Sequence, residues 1–145
     1  FHHLSTLCSC SVAASADLAD AAAPLLLLPS GHAGVCIAPS TAADAVAPLC
    51  EEEEVELVNI LSVLPGIGGQ PFRADALEKV RFLRQAYPSL PYLLVDGGID
   101  DRTAPRAAAA GANALVSGSY LFRAAPGQMA HRLEGLEQML LEHGE

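Results

Sequence analysis

The sequence contains few basic residues and almost no lysine. Its 145 residues include eight Lys and Arg against 17 Asp and Glu, a formal net charge of −9 at pH 7, and Lys79 is the only lysine. A surface that binds nucleic acid or an anionic membrane needs clustered positive charge. The composition therefore argues against both partners. It does not exclude binding of one phosphate group, since backbone N–H groups can do this.

Long hydrophobic runs are also missing. The most apolar stretch, residues 25–28, is bounded by Pro24 and Pro29, and it is far shorter than the roughly 18 residues of a membrane span. Residues 4–16 are apolar like a signal peptide, but no basic segment precedes them. We therefore predict neither a transmembrane helix nor export.

Because the first residue is Phe1 and not Met, we expect the true start to lie upstream.

Cysteines are too few for a disulfide scaffold. The sequence has four of them, Cys8, Cys10, Cys36 and Cys50, and none lies in the CxxC spacing of a zinc site. Reduced thiols in a cytosol-like compartment fit this pattern best. We expect a cytoplasmic protein, and plastid targeting ahead of Phe1 stays open.

The remaining composition is that of one well-cored domain. Hydrophobic residues make up 51% of the chain and charged residues 17%, which is typical of a globular fold. We predict a single domain over residues 1–145, with a weakly patterned segment at residues 1–33. In that segment we expect a strand within residues 1–10 and a helix over residues 15–28. The acidic run at residues 51–54 is expected to be a solvated loop.

From Gly34 onward, short aliphatic runs alternate with helical periodicity. The runs predict strands at residues 34–38, 55–63, 92–95 and 114–117. Apolar residues at steps of three and four predict a helix at residues 74–87, ended by Pro88. Asp100 or Asp101 can cap a helix that runs to Ala110 and stops at Gly111. The alternation predicts an α/β fold with a parallel sheet.

A last helix is predicted over residues 128–142. Its apolar spacing predicts that four side chains are buried: Met129, Leu133, Leu136 and Leu140.

Glycine-rich segments follow three of the predicted strands, where ligands gather in parallel βα folds. They are Pro-Gly-Ile-Gly-Gly-Gln at residues 65–70, Asp-Gly-Gly-Ile at residues 96–99 and Ser-Gly-Ser at residues 117–119. Such turns let backbone N–H groups converge on an anion. A tight structural turn would have the same composition, and the residues alone do not separate these interpretations. Together the segments predict a phosphate site built from the backbone.

Asp96 is the candidate for acid–base chemistry. It ends a predicted buried strand and precedes Gly97 and Gly98. A carboxylate in that position is costly unless it serves a charge, a proton or a metal. It could instead cap the next helix, although Asp100 and Asp101 are better placed for that.

In order and spacing, these motifs resemble the ribulose-phosphate 3-epimerase family. The resemblance covers about residues 34–123 and is carried by GVCIAPST at residues 34–41, SVLPGIGGQ at 62–70, VDGGI at 95–99, GAN at 111–113 and VSGS at 116–119. The Pro-Gly-x-Gly-Gly-Gln segment is its most specific part.

The resemblance implies a (β/α)8 barrel, called a TIM barrel, that binds ribulose phosphate. It further implies that the enzyme interconverts D-ribulose 5-phosphate and D-xylulose 5-phosphate in the pentose phosphate pathway. A proton would move at C3 through an enediolate stabilised by a divalent metal ion, which could be Zn, Fe, Mn or Co. Asp96 would be a catalytic carboxylate and a metal ligand, with His2 as a second ligand unless it is a frayed terminal residue.

The same resemblance implies the substrate-binding residues. These are Gly66, Ile67, Gly68, Gly69, Gly97, Gly98, Gly118 and Ser119, with the phosphate held mainly by the last four.

The sequence also departs from the family. A barrel takes roughly 250 residues, so we expect an incomplete one with about strands 4 to 8. The family's N-terminal serine and its His-x-Asp motif have no counterpart, and Leu61 and Ile67 replace a methionine and a phenylalanine. We expect the open barrel to form a homo-oligomer or to dock with a complementary N-terminal half.

The fragment could therefore be inactive alone. Two alternatives stay open, a non-catalytic half-barrel that binds phosphate and an epimerase for a hexulose phosphate.

Overall fold

The computed structural model describes residues 12–13, 25–27, 33–52, 55–66 and 68–143. These residues form one sheet of six strands in chain order: β1 (Val12–Ala13), β2 (Leu25–Leu27), β3 (Ala33–Ile37), β4 (Leu57–Leu61), β5 (Tyr92–Asp96) and β6 (Ala114–Val116). The helices are α1 (Ala47–Glu51), which follows a 3-10 turn at Ala43–Val46, α2 (Ala76–Ala86), α3 (Ala104–Ala109), α4 (Ser119–Phe122) and α5 (Met129–His143). None of these helices is long and apolar enough to span a membrane.

Strands β3 to β6 are parallel and alternate with the helices, which confirms the predicted α/β fold of a partial TIM barrel. Ile37 pairs with Ile60, Ile60 with Val95, and Val95 with Leu115. Parallel neighbours in register place their carboxyl ends at the same edge of the sheet. The segments that follow β4, β5 and β6 are therefore neighbours.

Alternate residues of the strands pack beneath the helices. This face contributes six fully buried side chains to the hydrophobic core: Val35, Ile37, Val58, Ile60, Leu93 and Val95. The intervening residues, among them Asn59, Leu61 and Asp96, project from the other face because strand side chains alternate. One face of the sheet thus supplies the core, and the other carries Asn59 and Asp96 among apolar residues such as Leu57 and Leu94.

Helix α2 closely matches its prediction. Ala76, Leu77, Val80 and Leu83 are buried, as expected for an amphipathic helix that covers a sheet. The helix begins two residues later than predicted, since Ala74 lies in an exposed turn. It ends before Pro88, where the Tyr87 N–H donates to the Leu83 carbonyl at 2.8 Å.

Helix α3 has the predicted signals at both ends. The Asp100 carboxylate accepts hydrogen bonds from the backbone N–H groups of Arg102 and Thr103, at 2.9 and 3.0 Å. Gly111 has a φ of +108°, the left-handed conformation predicted after the helix. Asp100 thus caps the turn at residues 101–103 that leads into α3, and the N-cap residue of α3 itself is Thr103.

The predicted helix over residues 15–28 is wrong at its end. Leu25–Leu27 is strand β2, which pairs antiparallel with β3, so that Leu25 lies opposite Val35. Pro24 and Pro29 bracket this run, and proline disrupts helix interiors while a short aliphatic run suits a strand. Residues 15–24 and the strand predicted within residues 1–10 lie outside the described residues.

Helix α5 buries less of its apolar stripe than predicted. Leu136 is buried, whereas Met129 and Leu133 are 50% and 40% exposed. Leu140 is half-buried. The helix packs against α3 and α4, which are six and four residues long. These short helices cover only a narrow strip of α5, so the predicted burial of Met129 and Leu133 is wrong.

The acidic run begins at the end of a helix. Glu51 is the last residue of α1, and both Glu51 and Glu52 are exposed, so these residues are solvated as predicted. Glu53 and Glu54 lie outside the described residues.

Candidate active site

The carboxyl ends of β4, β5 and β6 surround one open cavity of about 810 Å³. A volume of this size is typical of small-molecule sites, which span about 300–1,000 Å³. Eight of the predicted site residues line it: Gly66, Gly68, Gly69, Asp96, Gly97, Gly98, Gly118 and Ser119. The structure therefore brings together three segments that are distant in sequence, and their individual roles stay predictions.

Two predicted site residues, His2 and Ile67, lie outside the described residues. Leu61, the replacement for the family's methionine, lines the cavity beside Val63 and Leu64. This part of the wall is apolar.

Asp96 is the last residue of β5 and lies between Leu61 of β4 and Val116 of β6. Burial raises the pKa of its carboxyl group above the ordinary value of 3.8, and a hydrogen bond from Asn59 partly opposes that rise. Removal from water disfavours the charged form of an acid, whereas a donor aimed at the carboxylate favours it. Asp96 is therefore a carboxyl that holds a proton more readily than one in water.

Asn59 is the buried polar neighbour of Asp96. It lies in β4 and is 8% exposed. Its amide nitrogen donates to the Cys36 sulfur at 3.5 Å, and its amide oxygen has no hydrogen-bond partner among the described residues. An unpaired buried carbonyl costs about 1–3 kcal/mol. The sheet tolerates this cost next to Asp96.

Hydroxyl groups hold the turn after β5. The fully buried Ser62 donates to the backbone carbonyls of Asp96 and Gly97. Thr103 donates to the Gly98 carbonyl at 2.8 Å, and Ser117 donates to the Ile99 carbonyl at 2.9 Å. The turn is thus fixed by the side chains of residues that directly follow β4, precede α3 and follow β6.

Gly98 is required by the conformation of this turn. Its φ is +61°, and a Cβ atom added there would lie 2.7 Å from the backbone nitrogen of Phe72. Real Cβ atoms essentially never approach that closely. The two glycine-rich turns therefore touch each other through Gly98 and Phe72.

The turn after β4 leaves its backbone open. Added Cβ atoms at Gly66 and Gly68 would meet none of the described residues within 4 Å. Gln70 closes the turn by donating from its amide to the Leu64 carbonyl at 2.6 Å. A ligand can therefore approach this backbone directly.

The order of these segments matches one known family. The sequence profile of the ribulose-phosphate 3 epimerase family matches residues 30–122, which is more than half of the 145 residues. The chain belongs to the ribulose-phosphate 3-epimerase family. The predicted family is confirmed.

Curated members of the ribulose-phosphate 3-epimerase family resemble the chain over the same part. The cytoplasmic isoform of ribulose-phosphate 3-epimerase from Oryza sativa subsp. japonica is 49% identical over 102 residues, which are 69% of this chain and 44% of the relative. The Schizosaccharomyces pombe enzyme is 41% identical over 91 residues, which are 63% and 39% of the two chains. For the Synechocystis enzyme the identity is 41% over 98 residues, with 63% and 40% covered. The chain thus spans less than half the length of these epimerases.

Three residues around this epimerase-family cavity were missed by sequence reasoning. Ser62 and Asn59 carry polar groups within an aliphatic strand run, and that contrast could have identified both. Arg123 lines the cavity and lies four residues after Ser119, a spacing that places both on the same side of a helix.

The described residues alone do not provide a complete set of ligands for the predicted metal ion. They contain no group of three or more His, Cys, Asp and Glu side chains that could hold one, and a bound metal usually takes several such ligands. Asp96 supplies one carboxylate. Its partner ligand in the prediction, His2, is outside the described residues, so the metal stays a prediction.

Proposed function

We propose that this chain carries part of the active site of a ribulose-phosphate 3-epimerase. Such an enzyme interconverts D-ribulose 5-phosphate and D-xylulose 5-phosphate by inverting C3, and we place it in the cytoplasmic pentose phosphate pathway. The observation that carries the proposal is Asp96, a carboxyl with a raised pKa in a cavity bordered by glycine turns. Family membership supports the same assignment.

Asp96 is the proposed acid–base group. The C2 carbonyl of the substrate acidifies the C3–H bond, and the Asp96 carboxylate accepts that proton, which leaves the electron pair in an enediolate. Return of a proton to the opposite face of C3 gives the epimer, and the reverse reaction exchanges the two roles. A raised pKa suits this work, because proton transfer is most efficient when the pKa lies near the working pH.

A second acid–base group is needed on the other face of the carbon. Asp100 also lines the cavity, but its carboxylate accepts the N–H groups of Arg102 and Thr103. We therefore propose that the second group comes from a complementary N-terminal half or a second copy of the chain.

The glycine turns are the proposed substrate contacts. Gly97, Gly98, Gly118 and Ser119 would hold the phosphate, while the turn at residues 66–69 would border the sugar. Among the described residues, nothing lies within 4 Å of a Cβ atom added at Gly66, Gly68 or Gly118, and this open space supports close approach of a ligand to the backbone.

A second candidate function is phosphate-ester binding without turnover. It is favoured because Asp96 is the only carboxylate of the described cavity lining that is not engaged with backbone N–H groups. A hexulose phosphate is the alternative substrate for either function.

The deciding experiment follows proton exchange at C3. The purified chain is incubated in D2O with D-ribulose 5-phosphate, separately with a hexulose 6-phosphate, and with or without added Zn, Fe, Mn or Co. The 1H NMR spectrum reports deuterium at C3 and formation of the epimer. Asp96→Asn should lower the rate by roughly 10²- to 10⁴-fold, as expected for loss of a general base. The exposed neighbour variant Asp101→Asn should retain the rate.

The outcomes separate the candidates. Exchange that depends on Asp96 supports the epimerase. Binding of the sugar phosphate without exchange, observed for the folded chain, supports the second candidate instead. Exchange that persists in Asp96→Asn would refute the assignment of the catalytic group.

A further inference from the structure

The cavity contains a positive charge that the predicted phosphate site did not include. Among the described residues that line it, Asp96 and Asp100 are acidic and Arg123 is the only Lys or Arg. The chain as a whole has a formal net charge of −9. An anionic ligand that enters the cavity therefore meets two carboxylates and one guanidinium group.

The position of Arg123 is set by helix α4. Its backbone N–H donates to the Ser119 carbonyl at 3.1 Å, which is the i to i+4 bond of a helical turn. A Cβ atom added at Gly69 would lie 3.5 and 3.6 Å from the two terminal nitrogens of Arg123, and 3.8 Å from the Ser119 hydroxyl. The guanidinium and the hydroxyl thus both lie beside the Gly69 backbone.

The guanidinium of Arg123 is not used by the described fold. It has no hydrogen bond, ion pair or ring contact with any described residue. Four other arginines do have such contacts: Arg73 with Asp75, Arg84 with the Gly111 and Leu90 carbonyls, Arg106 with the Phe72 ring, and Arg132 with Tyr120. The five N–H donors of Arg123 are therefore available to a ligand.

An unengaged guanidinium beside a hydroxyl and an open turn suits a phosphate group. The planar fork of arginine forms two parallel hydrogen bonds to phosphate oxygens, and such charge-assisted bonds are stronger than neutral ones. Its charge also offsets the repulsion of a phosphate by Asp96 and Asp100. Backbone N–H groups alone carry only partial charges.

We propose that Arg123 is a binding residue for the phosphate end of the sugar phosphate, acting with the Ser119 hydroxyl on the Gly69 side of the cavity. This inference rests on the proposed function and deepens it, because it adds a charged side chain to a site otherwise built from backbone. Arg123 does not take part in the proton transfer.

The test measures phosphate affinity. Titration calorimetry of the full chain with inorganic phosphate, and then with D-ribulose 5-phosphate, is performed on the wild type, Arg123→Gln and Arg123→Lys. We expect Arg123→Gln to raise both dissociation constants roughly 10- to 100-fold, the effect of losing a charge-assisted hydrogen bond. Arg123→Lys should give an intermediate loss, because lysine keeps the charge without the fork.

The matched control is Arg81→Gln, which also removes a positive charge. Arg81 is exposed on α2 and does not line the cavity, so its variant should bind phosphate as the wild type does. Equal weakening by both variants would show an effect of net charge only and would overturn the proposal. Unchanged thermal unfolding of Arg123→Gln would show that the loss is not due to unfolding.

The remaining outcomes distinguish this inference from the epimerase proposal. If the wild type and Arg123→Gln bind phosphate equally while C3 exchange depends on Asp96, the role of Arg123 is refuted and the epimerase stands. If phosphate binding depends on Arg123 but no exchange occurs, the role of Arg123 stands and proton exchange by this chain through Asp96 is refuted. Absence of phosphate binding by the wild type overturns the inference.

Discussion

At the scale of single residues, Asp96 is a partly buried carboxyl group, and burial disfavours its charged form. Burial raises the pKa of its carboxyl group, and the opposing hydrogen bond from Asn59 does not cancel that effect. The same burial that supports the proposed role of Asp96 as a proton acceptor therefore lowers the stability of the folded chain at neutral pH. Such a compromise between stability and activity is common at functional sites.

Replacing Asp96 by Asn should stabilise the chain at pH 7 by about 0.5–1 kcal/mol, because a partly buried charge is removed whose cost solvent already reduces. The folded-state pKa lies above the ordinary value of 3.8. Asp96 therefore contributes stability that is complete below that ordinary value and is lost as the pH rises through the raised pKa. The gain in the free energy of unfolding should shrink as the pH is lowered from 7 toward 3.8. Urea denaturation at several pH values measures this trend.

Asp101→Asn is the control for this prediction. Asp101 is exposed and does not line the cavity, so its replacement should change the free energy of unfolding by less than about 0.5 kcal/mol. A stabilisation by Asp96→Asn that stayed constant from pH 7 down to pH 3.8 would contradict the explanation by buried charge.

The site could be predicted from sequence where backbone shape determines the residue type. Gly98 must be glycine because of its positive φ and its closeness to Phe72, so composition alone indicates this turn. The local signals of Asn59 and Arg123 are weaker: Asn59 is a polar residue in an aliphatic run, and Arg123 lies one helical turn after Ser119. Their surroundings depend on which strands and turns are neighbours, and that information appears only once the sheet is assembled.

At the scale of elements, the turn after β5 is the most constrained segment of the cavity. Three hydroxyl groups, from Ser62, Thr103 and Ser117, donate to its carbonyls. Its glycines also pack directly against the turn after β4. A fixed turn keeps its N–H groups oriented before a ligand arrives, which reduces the entropic cost of binding.

Gly98→Ala should destabilise the chain by about 2–4 kcal/mol, because alanine is strained at a φ of +61° and its Cβ would collide with the Phe72 backbone. The matched variant is Gly135→Ala in α5, where an added Cβ meets none of the residues that the structure describes within 4 Å. That change should stabilise the chain by about 0.5–1 kcal/mol, since alanine is the better helix former. Urea denaturation of both variants measures the difference, and equal effects would show that Gly98 is not constrained.

The helices and parallel strands could be predicted because their periodicity is local. Leu77, Val80 and Leu83 repeat at helical spacing and are buried as that pattern indicates. Strand β2 was missed because its three-residue run carries no period, and its assignment depends on pairing with β3. The exposure of Leu133 was missed for a related reason, since the width of the buried strip on α5 depends on the lengths of α3 and α4.

At the scale of the whole molecule, the described fold leaves apolar groups uncovered along one side. Strand β6 pairs with β5, and the described residues provide no partner for its other edge. Large apolar side chains of the helices that follow it are exposed, with Phe122 at 79% and Leu141 at 82%. An open strand edge beside exposed apolar residues promotes association.

Net charge should control that association. The formal charge is −9 at pH 7 and the isoelectric point is about 4.8, so repulsion between copies weakens as the pH is lowered toward 4.8. We expect sedimentation velocity to show dimers or larger species whose fraction increases from pH 8 to pH 5.5.

Phe122→Ser should reduce this fraction at every pH, because it removes an exposed aromatic side chain next to the open edge of β6. Phe82→Ser is the comparison variant: Phe82 is 45% exposed but lies on α2, which follows β4 and not β6, so its variant should associate as the wild type does. Equal reduction by both variants would show that any exposed aromatic residue promotes association. The edge of β6 would then have no special role. A monomer at all pH values would show that the edge of β6 is protected in solution, and the second acid–base group would then have to come from a chain other than a second copy.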